Sequence, residues 1–163
     1  AAPAVASLAA AGLMAGFGAK GPDPQQPCPC GGGIEGISYA RCCLPLHRQE
    51  RAAATAEQLM RSRYSAFAFA EIDYLLRTQP SEEPVQARRR SLEASCRKLR
   101  WRGLEIVAME PGGPDDLEGT VTFIAHYSAG AERGTLRECS RFGREGGRPD
   151  GAWLYLDAIE LSG

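Results

Sequence analysis

The sequence predicts an α+β protein in which a small metal-binding knuckle is followed by helices and then by an antiparallel sheet. Three observations carry this reading. Four cysteines crowd into residues 28–43, residues 55–99 repeat their apolar side chains at helical spacing, and from Trp101 onward short alternating stretches are separated by Gly- and Pro-rich turns. Helices first and hairpin-linked strands afterwards is the order of an α+β layout, in which helices cover an antiparallel sheet.

The 163 residues suffice for one real core, since a chain near this size hides roughly 70% of the surface its unfolded form exposes. A net charge of −1 excludes global steering toward nucleic acid or anionic lipid, so any such partner must meet a local patch. Residues 1–20 are mostly small and apolar with one charge, Lys20, and their run is broken by glycines, too weakly apolar for a membrane span. Residues 1–26 are therefore expected to form a flexible or targeting leader, and the protein to reside in the cytoplasm or, if the leader is a targeting remnant, in a plastid-like organelle interior.

The knuckle comes next. Pro and Gly dominate GPDPQQPCPCGGG, so Cys28 and Cys30 sit on turns, and folding energy there must come from a bound metal. Adjacent Cys42 and Cys43 would form only a strained disulfide ring, whereas two neighbouring thiolates share a metal without strain. Four thiolates suit zinc in a closed tetrahedron, which leaves no open position for catalysis and requires a reducing compartment. Such a site carries a local charge near −2, which Arg41, His47, Arg48 and nearby N–H groups are placed to offset.

Helical signals begin at Thr55, whose hydroxyl can cap the first turn while Gln58 reaches back. Leu59, Met60, Tyr64, Phe67 and Phe69 follow at helical spacing. Glu71 to Thr78 reads as a second short helix with Ile72, Leu75 and Leu76 turned inward, and Pro84 opens a third that runs toward Leu99. Four strands follow, WRGLEIVAM, GTVTFIAHYS, GTLRECSRF and AWLYLDAIEL. Alternation along the second puts Val121, Phe123, Ala125 and Tyr127 on one face and His126 on the other.

CPCGG, YARCCLPLH, TAEQLMRSRYSAF, IDYLLRT, WRGLEI, ECSRFGRE and WLYLDA together resemble the YchJ-like bacterial proteins over residues 27–158. The resemblance implies an N-terminal SEC-C motif, at 27–48 here, and a domain similar to nuclear transport factor 2, at 52–163, built as a cone of curved antiparallel sheet wrapped by helices. Two departures stand out. Eleven residues separate Cys30 from Cys42, three more than the motif usually has, and the surplus is Gly-rich. After Thr78 the family usually shows Trp-His-Pro, whereas this chain has Gln79-Pro80, so no role of that Trp or His carries over.

Beyond the metal ligands Cys28, Cys30, Cys42 and Cys43, the sequence offers a second cluster. Arg63 and Tyr64 lie near the apolar face of the first long helix, and an arginine there needs an anion. Glu138 or Asp157, accompanied by Ser140 and Tyr155, is the expected partner, either as a structural ion pair or as part of a ligand pocket. No catalytic residue is assigned. His126, Cys96 and Cys139 read as ordinary structural residues. Arg88, Arg89, Arg90, Arg97, Lys98, Arg100 and Arg102 face one acid, Glu93, and suggest at most weak nucleic-acid contact across 88–102. The expected function is that of a zinc-binding adaptor whose knuckle docks a protein partner. The alternative is a small-molecule enzyme, of isomerase, dehydratase or hydrolase type, built in the pocket of the cone.

Overall fold

Thr55 caps the first long helix, its hydroxyl accepting from the Gln58 N–H at 3.0 Å while the Gln58 side chain accepts from the Ala54 N–H at 2.7 Å. The computed structural model describes residues 21–163; residues 1–20, and with them most of the leader expected at 1–26, lie outside the described residues. The helices are α1 (Leu44–His47), α2 (Ala56–Phe69), α3 (Ile72–Arg77) and α4 (Val85–Lys98). Pro84 is the residue just before α4 rather than its first helical residue. Ala70, with φ 56°, closes α2 in the left-handed conformation, and the chain doubles back into α3.

The strands are β1 (Arg100–Met109), β2 (Glu118–Ala129), β3 (Glu132–Arg144) and β4 (Trp153–Ser162), paired antiparallel in the order β1-β2-β3-β4. Val121, Phe123 and Ala125 are buried beneath α2, as the alternation of β2 predicts, and the exposed face of the same strands carries the His126–Glu105 pair at 2.6 Å. Register shifts curve the sheet: two interrupt β1–β2 pairing and two interrupt β3–β4 pairing.

The second shift between β3 and β4 decides which side chains face the core. Phe142 pairs with Tyr155 but Arg141 pairs with Asp157, so Leu156 is an extra residue in β4. Tyr155 remains on the inner face with Phe142, their rings 5.7 Å apart edge-on, and Asp157 moves to the outer face. Strict alternation would have kept Tyr155 and Asp157 together.

One continuous hydrophobic core runs from the knuckle to the sheet. Tyr39, Leu46 and Cys43 join α2 residues Leu59, Met60 and Tyr64, which in turn meet Val121, Phe142 and Trp153. The Trp153 indole donates to the Ala54 carbonyl at 3.1 Å and so ties the last strand to the segment that leads into α2. Among the described residues no helix is long and apolar enough to cross a membrane.

Candidate metal centre

Prolines and glycines shape the knuckle, as the sequence predicts. Pro27 and Ser38 form an isolated antiparallel bridge, flanked by bonds from Cys28 N to Ile37 O and from Tyr39 N to Gln26 O, both 2.8 Å. A 3-10 turn over Tyr39–Arg41 then delivers Cys42 and Cys43 to the first pair. The Gly-rich surplus is absorbed in the loop 31–36, so the hydrogen bonds that hold Tyr39 and Cys42 are undisturbed. Gly32 is the one residue in that loop that chemistry restricts most. It has φ +55°, and a Cβ there would lie 2.5 Å from Ile37 and 3.0 Å from the Cys42 sulfur.

The four sulfurs all lie within 4.8 Å of one another. Cys30 Sγ is 3.6 Å from Cys28 Sγ and 3.5 Å from both Cys42 and Cys43, and Cys42 and Cys43 are 3.7 Å apart. These are not disulfide distances, and every cysteine is a free thiol. A tetrahedral ion with metal–sulfur bonds of about 2.3 Å requires sulfur–sulfur edges of about 3.8 Å, so the cage fits a thiolate-bound metal. Cys28, Cys30 and Cys43 are buried and Cys42 is half-buried.

Four thiols packed this closely cannot all ionise unaided. The Cys43 thiol is pushed up by its hydrogen bonds to Cys28 and Cys30, with burial acting in the same direction, and Cys42 is pushed up by the same two neighbours. A divalent cation held by these four residues would remove that conflict and let all four be thiolates. The Gly32 N–H points at Cys30 Sγ from 3.3 Å.

Positive charge also reaches the site from residues the sequence did not single out. Arg61 donates to the Cys30 carbonyl at 2.7 Å while its Nε pairs with Glu57, and Arg51 donates to the Cys42 carbonyl at 3.1 Å. Arg41 and Arg48 are exposed, and the ring nitrogens of His47 bond groups other than the thiols. His47 is buried instead between two elements: the Tyr39 hydroxyl donates to its Nδ1 at 2.6 Å and its Nε2 donates to the Ser62 carbonyl at 2.8 Å. Burial holds the imidazole below its ordinary range, so it is neutral with the proton on Nε2. The Ser62 hydroxyl continues the chain, donating to the Leu59 carbonyl and bonding the Tyr74 hydroxyl at 2.6 Å. Arg77 donates to the His47 carbonyl at 2.5 Å. No spacing rule identifies these residues, because the network joins the 3-10 turn, α1, α2 and α3 across the fold.

The second cluster is brought together only in part. Arg63 is 6% exposed and Tyr64 4% exposed, as expected for the inward face of α2. Arg63 nevertheless forms no ion pair with Glu138 or Asp157. Its Nη1 donates to the Leu75 carbonyl at 3.1 Å and the Thr78 hydroxyl at 2.7 Å, and its Nη2 donates to the Gln79 side-chain oxygen at 2.9 Å. Gln79, where the chain departs from the usual family pattern, is thus a partner of the buried cation. Asp157 pairs with Arg141 at 2.7 Å on the outer face, half exposed, which is the consequence of the extra residue at Leu156. Glu138, Ser140, Tyr155, Tyr64 and Arg63 do line one cavity.

In the basic tract, Arg88 donates to the Gln79 carbonyl at 2.6 Å, Arg89 pairs with Asp73, and Arg102 donates to Ser128 at 3.0 Å. These three are engaged within the fold. Cys96 is buried, and burial raises its thiol.

Comparison with known proteins gives a consistent result. The family model described as the YchJ middle NTF2-like domain matches residues 55–158. A UPF0225 protein of Ralstonia nicotianae is 43% identical over 141 residues, covering 83% of this chain and 92% of that protein. A UPF0225 protein of Streptomyces coelicolor is 44% identical, covering 82% and 95%. Among solved structures, a SEC-C motif containing protein from Psychrobacter arcticus superposes with a TM-score of 0.67 at 28% identity, covering 86% of this chain and 85% of that one. Another SEC-C motif containing protein, from Rhodopseudomonas palustris, gives 0.62 at 28% identity, covering 79% and 96%.

Proposed function

Because this chain belongs to the YchJ-like family and gathers four thiols into one tetrahedral cage, we propose that it is a zinc-binding adaptor. Cys28, Cys30, Cys42 and Cys43 hold one zinc ion as thiolates, and the residues of 27–48 act as a knuckle on a cone formed by 52–163. The observation that carries this is the closed sulfur cage, with edges of 3.5–3.7 Å between neighbouring sulfurs. When bound, the metal supplies folding energy and rigidity, not a reactive ligand position, because all four positions are thiolates. Arg51 and Arg61 hold the carbonyls of two ligand residues, and Tyr39 and His47 lock the knuckle on α2. Free thiols suit a reducing space, which supports the cytoplasm as its location.

What such a rigid knuckle presents outward is the loop 31–36, where Ile34 is 65% exposed beside Glu35. This is the surface proposed to dock a protein partner. The basic tract supports only a minor nucleic-acid contact, since four of its seven cations are already engaged. Metal analysis of freshly purified protein tests the centre: close to one zinc per chain is expected, and a content near zero with all thiols titratable removes the reading. Crosslinking capture by wild type and by Ile34→Asp, which leaves the cage intact, tests the docking face. Recovery of the same partner by both proteins removes that part.

A further inference from the structure

Between α2 and the inner face of the sheet lies a cavity of about 280 Å³. Its walls are aromatic, with Tyr64, Phe67, Trp101, Phe123 and Phe142 among them, and its polar end holds Arg63 and Glu138. Ser95 of α4 lines it and is exposed, which places the mouth beside that helix.

The two charges that line this cavity are opposite and form no ion pair with each other. Arg63 has five N–H donors, of which three go to Leu75, Thr78 and Gln79, so its Nε–H and one Nη2–H remain unused among the described residues. The guanidinium carbon lies 4.8 Å from the centre of the Tyr155 ring. At the other end of that ring the Tyr155 hydroxyl donates to Glu138 Oε1 at 3.1 Å, and the Ser140 hydroxyl donates to the same oxygen. Glu138 Oε2 accepts nothing among the described residues, and no ion pair joins Glu138 to Arg63. A cation that still has donors lies over the face of the Tyr155 ring, and a carboxylate that still has an acceptor sits at its hydroxyl, both lining the same cavity. Burial draws Arg63 down to about 10, which leaves it charged at neutral pH, and pushes the Tyr155 hydroxyl up to about 12, which keeps it a neutral donor.

We propose that this cavity binds a free apolar α-amino acid, with its carboxylate on Arg63, its ammonium group on Glu138 and its side chain against the aromatic wall. A zwitterion matches both charges and brings no net charge into an apolar space. A simple carboxylic acid would pair with Arg63 but meet Glu138, and a simple amine would do the reverse. Size agrees, since the cavity falls just under the range of about 300–1,000 Å³ that takes drug-sized ligands. The inference does not depend on the metal or on docking by the knuckle.

Calorimetry, with Trp101 fluorescence as a second readout, on the full zinc-loaded chain tests it with four probes: L-phenylalanine, L-leucine, 3-phenylpropionate and 2-phenylethylamine. Saturable binding of at least one amino acid is expected. Each phenyl compound that lacks one charged group should bind at least about tenfold more weakly than L-phenylalanine. Glu138→Gln should weaken the amino acid by about tenfold and leave 3-phenylpropionate unchanged or tighter. Because Arg63 supports the fold, the amine probe stands in for its substitution. The proposal is overturned if neither amino acid binds, if either single-charge compound binds as tightly as L-phenylalanine, or if Glu138→Gln binds the amino acids like wild type.

Discussion

Tyr39 and His47 meet through a 2.6 Å hydrogen bond from the tyrosine hydroxyl to Nδ1, and the opposite ring nitrogen of His47 reaches the Ser62 carbonyl of α2. This pair joins the metal knuckle to the helical layer at buried polar atoms, where an unmet partner is costly. His47→Ala should therefore lower stability by about 2–4 kcal/mol in urea unfolding, and Tyr39→Phe by about 1–2 kcal/mol. Both variants should keep close to one zinc per chain, because neither residue is a ligand. Wild-type stability in His47→Ala would show that the bond contributes nothing.

Removal of the metal probes the same junction from the other side. With core residues expected beyond Thr55, the sequence predicts loss of order around 28–48 with the sheet left largely intact. The shared core extends this expectation to α2, since Cys28 touches Ser65 at 3.4 Å and Tyr39 stacks edge-on against Phe69 at 4.7 Å. Chelation should raise amide exchange in both 28–48 and α2, while β2 and β3, whose register is unbroken, stay protected. Cys42→Ser should reproduce the effect, and acid should release the metal as the thiolates protonate. Exchange confined to 28–48 would mark the knuckle as detachable.

Arg63 rests on neutral acceptors, so its neighbours should respond in an order opposite to that of a structural ion pair. Thr78→Val, which removes an acceptor from a buried guanidinium, should cost about 1–3 kcal/mol. Asp157→Asn should leave the melting temperature unchanged, because its bond to Arg141 lies in solvent. A clear loss of stability in Asp157→Asn together with none in Thr78→Val would overturn this arrangement.

Nucleic-acid binding by residues 88–102 should be weak and should fall steeply with salt, as phosphate contacts alone dictate. Arg88, Arg89 and Arg102 are held within the fold and Arg90 donates to the Gln86 carbonyl of its own helix, leaving Arg97, Lys98 and Arg100. Filter binding of single- and double-stranded DNA at two salt concentrations measures the slope. Tight, sequence-dependent binding at high salt would place the function on nucleic acid.

Local chemistry carried much of the design into the sequence. Thr55 and Gln58 announce the start of α2 because both bonds of a capping box fall within four residues. The inward face of β2 follows from alternation, which holds wherever a ladder is unbroken. The thiolate cage was legible because its ligands lie within sixteen residues and their spacing is itself the motif.

The cavity shows where this reach ends. An arginine on an apolar helix face announces that something must receive its protons, and charge alone points to the carboxylates of β3 and β4. The extra residue at Leu156 turns Asp157 outward, and Thr78 and Gln79, beyond α3, supply the neutral acceptors instead. A bulge of one residue leaves no mark in composition or period, since it is settled by how the curved sheet closes over α2. The same holds for the Tyr39–His47–Ser62 junction. By itself the sequence determined what each short segment becomes and which cysteines gather into one cage; which buried charge meets which partner was decided by the tertiary structure, because strand register and helix docking bring together atoms far apart along the chain.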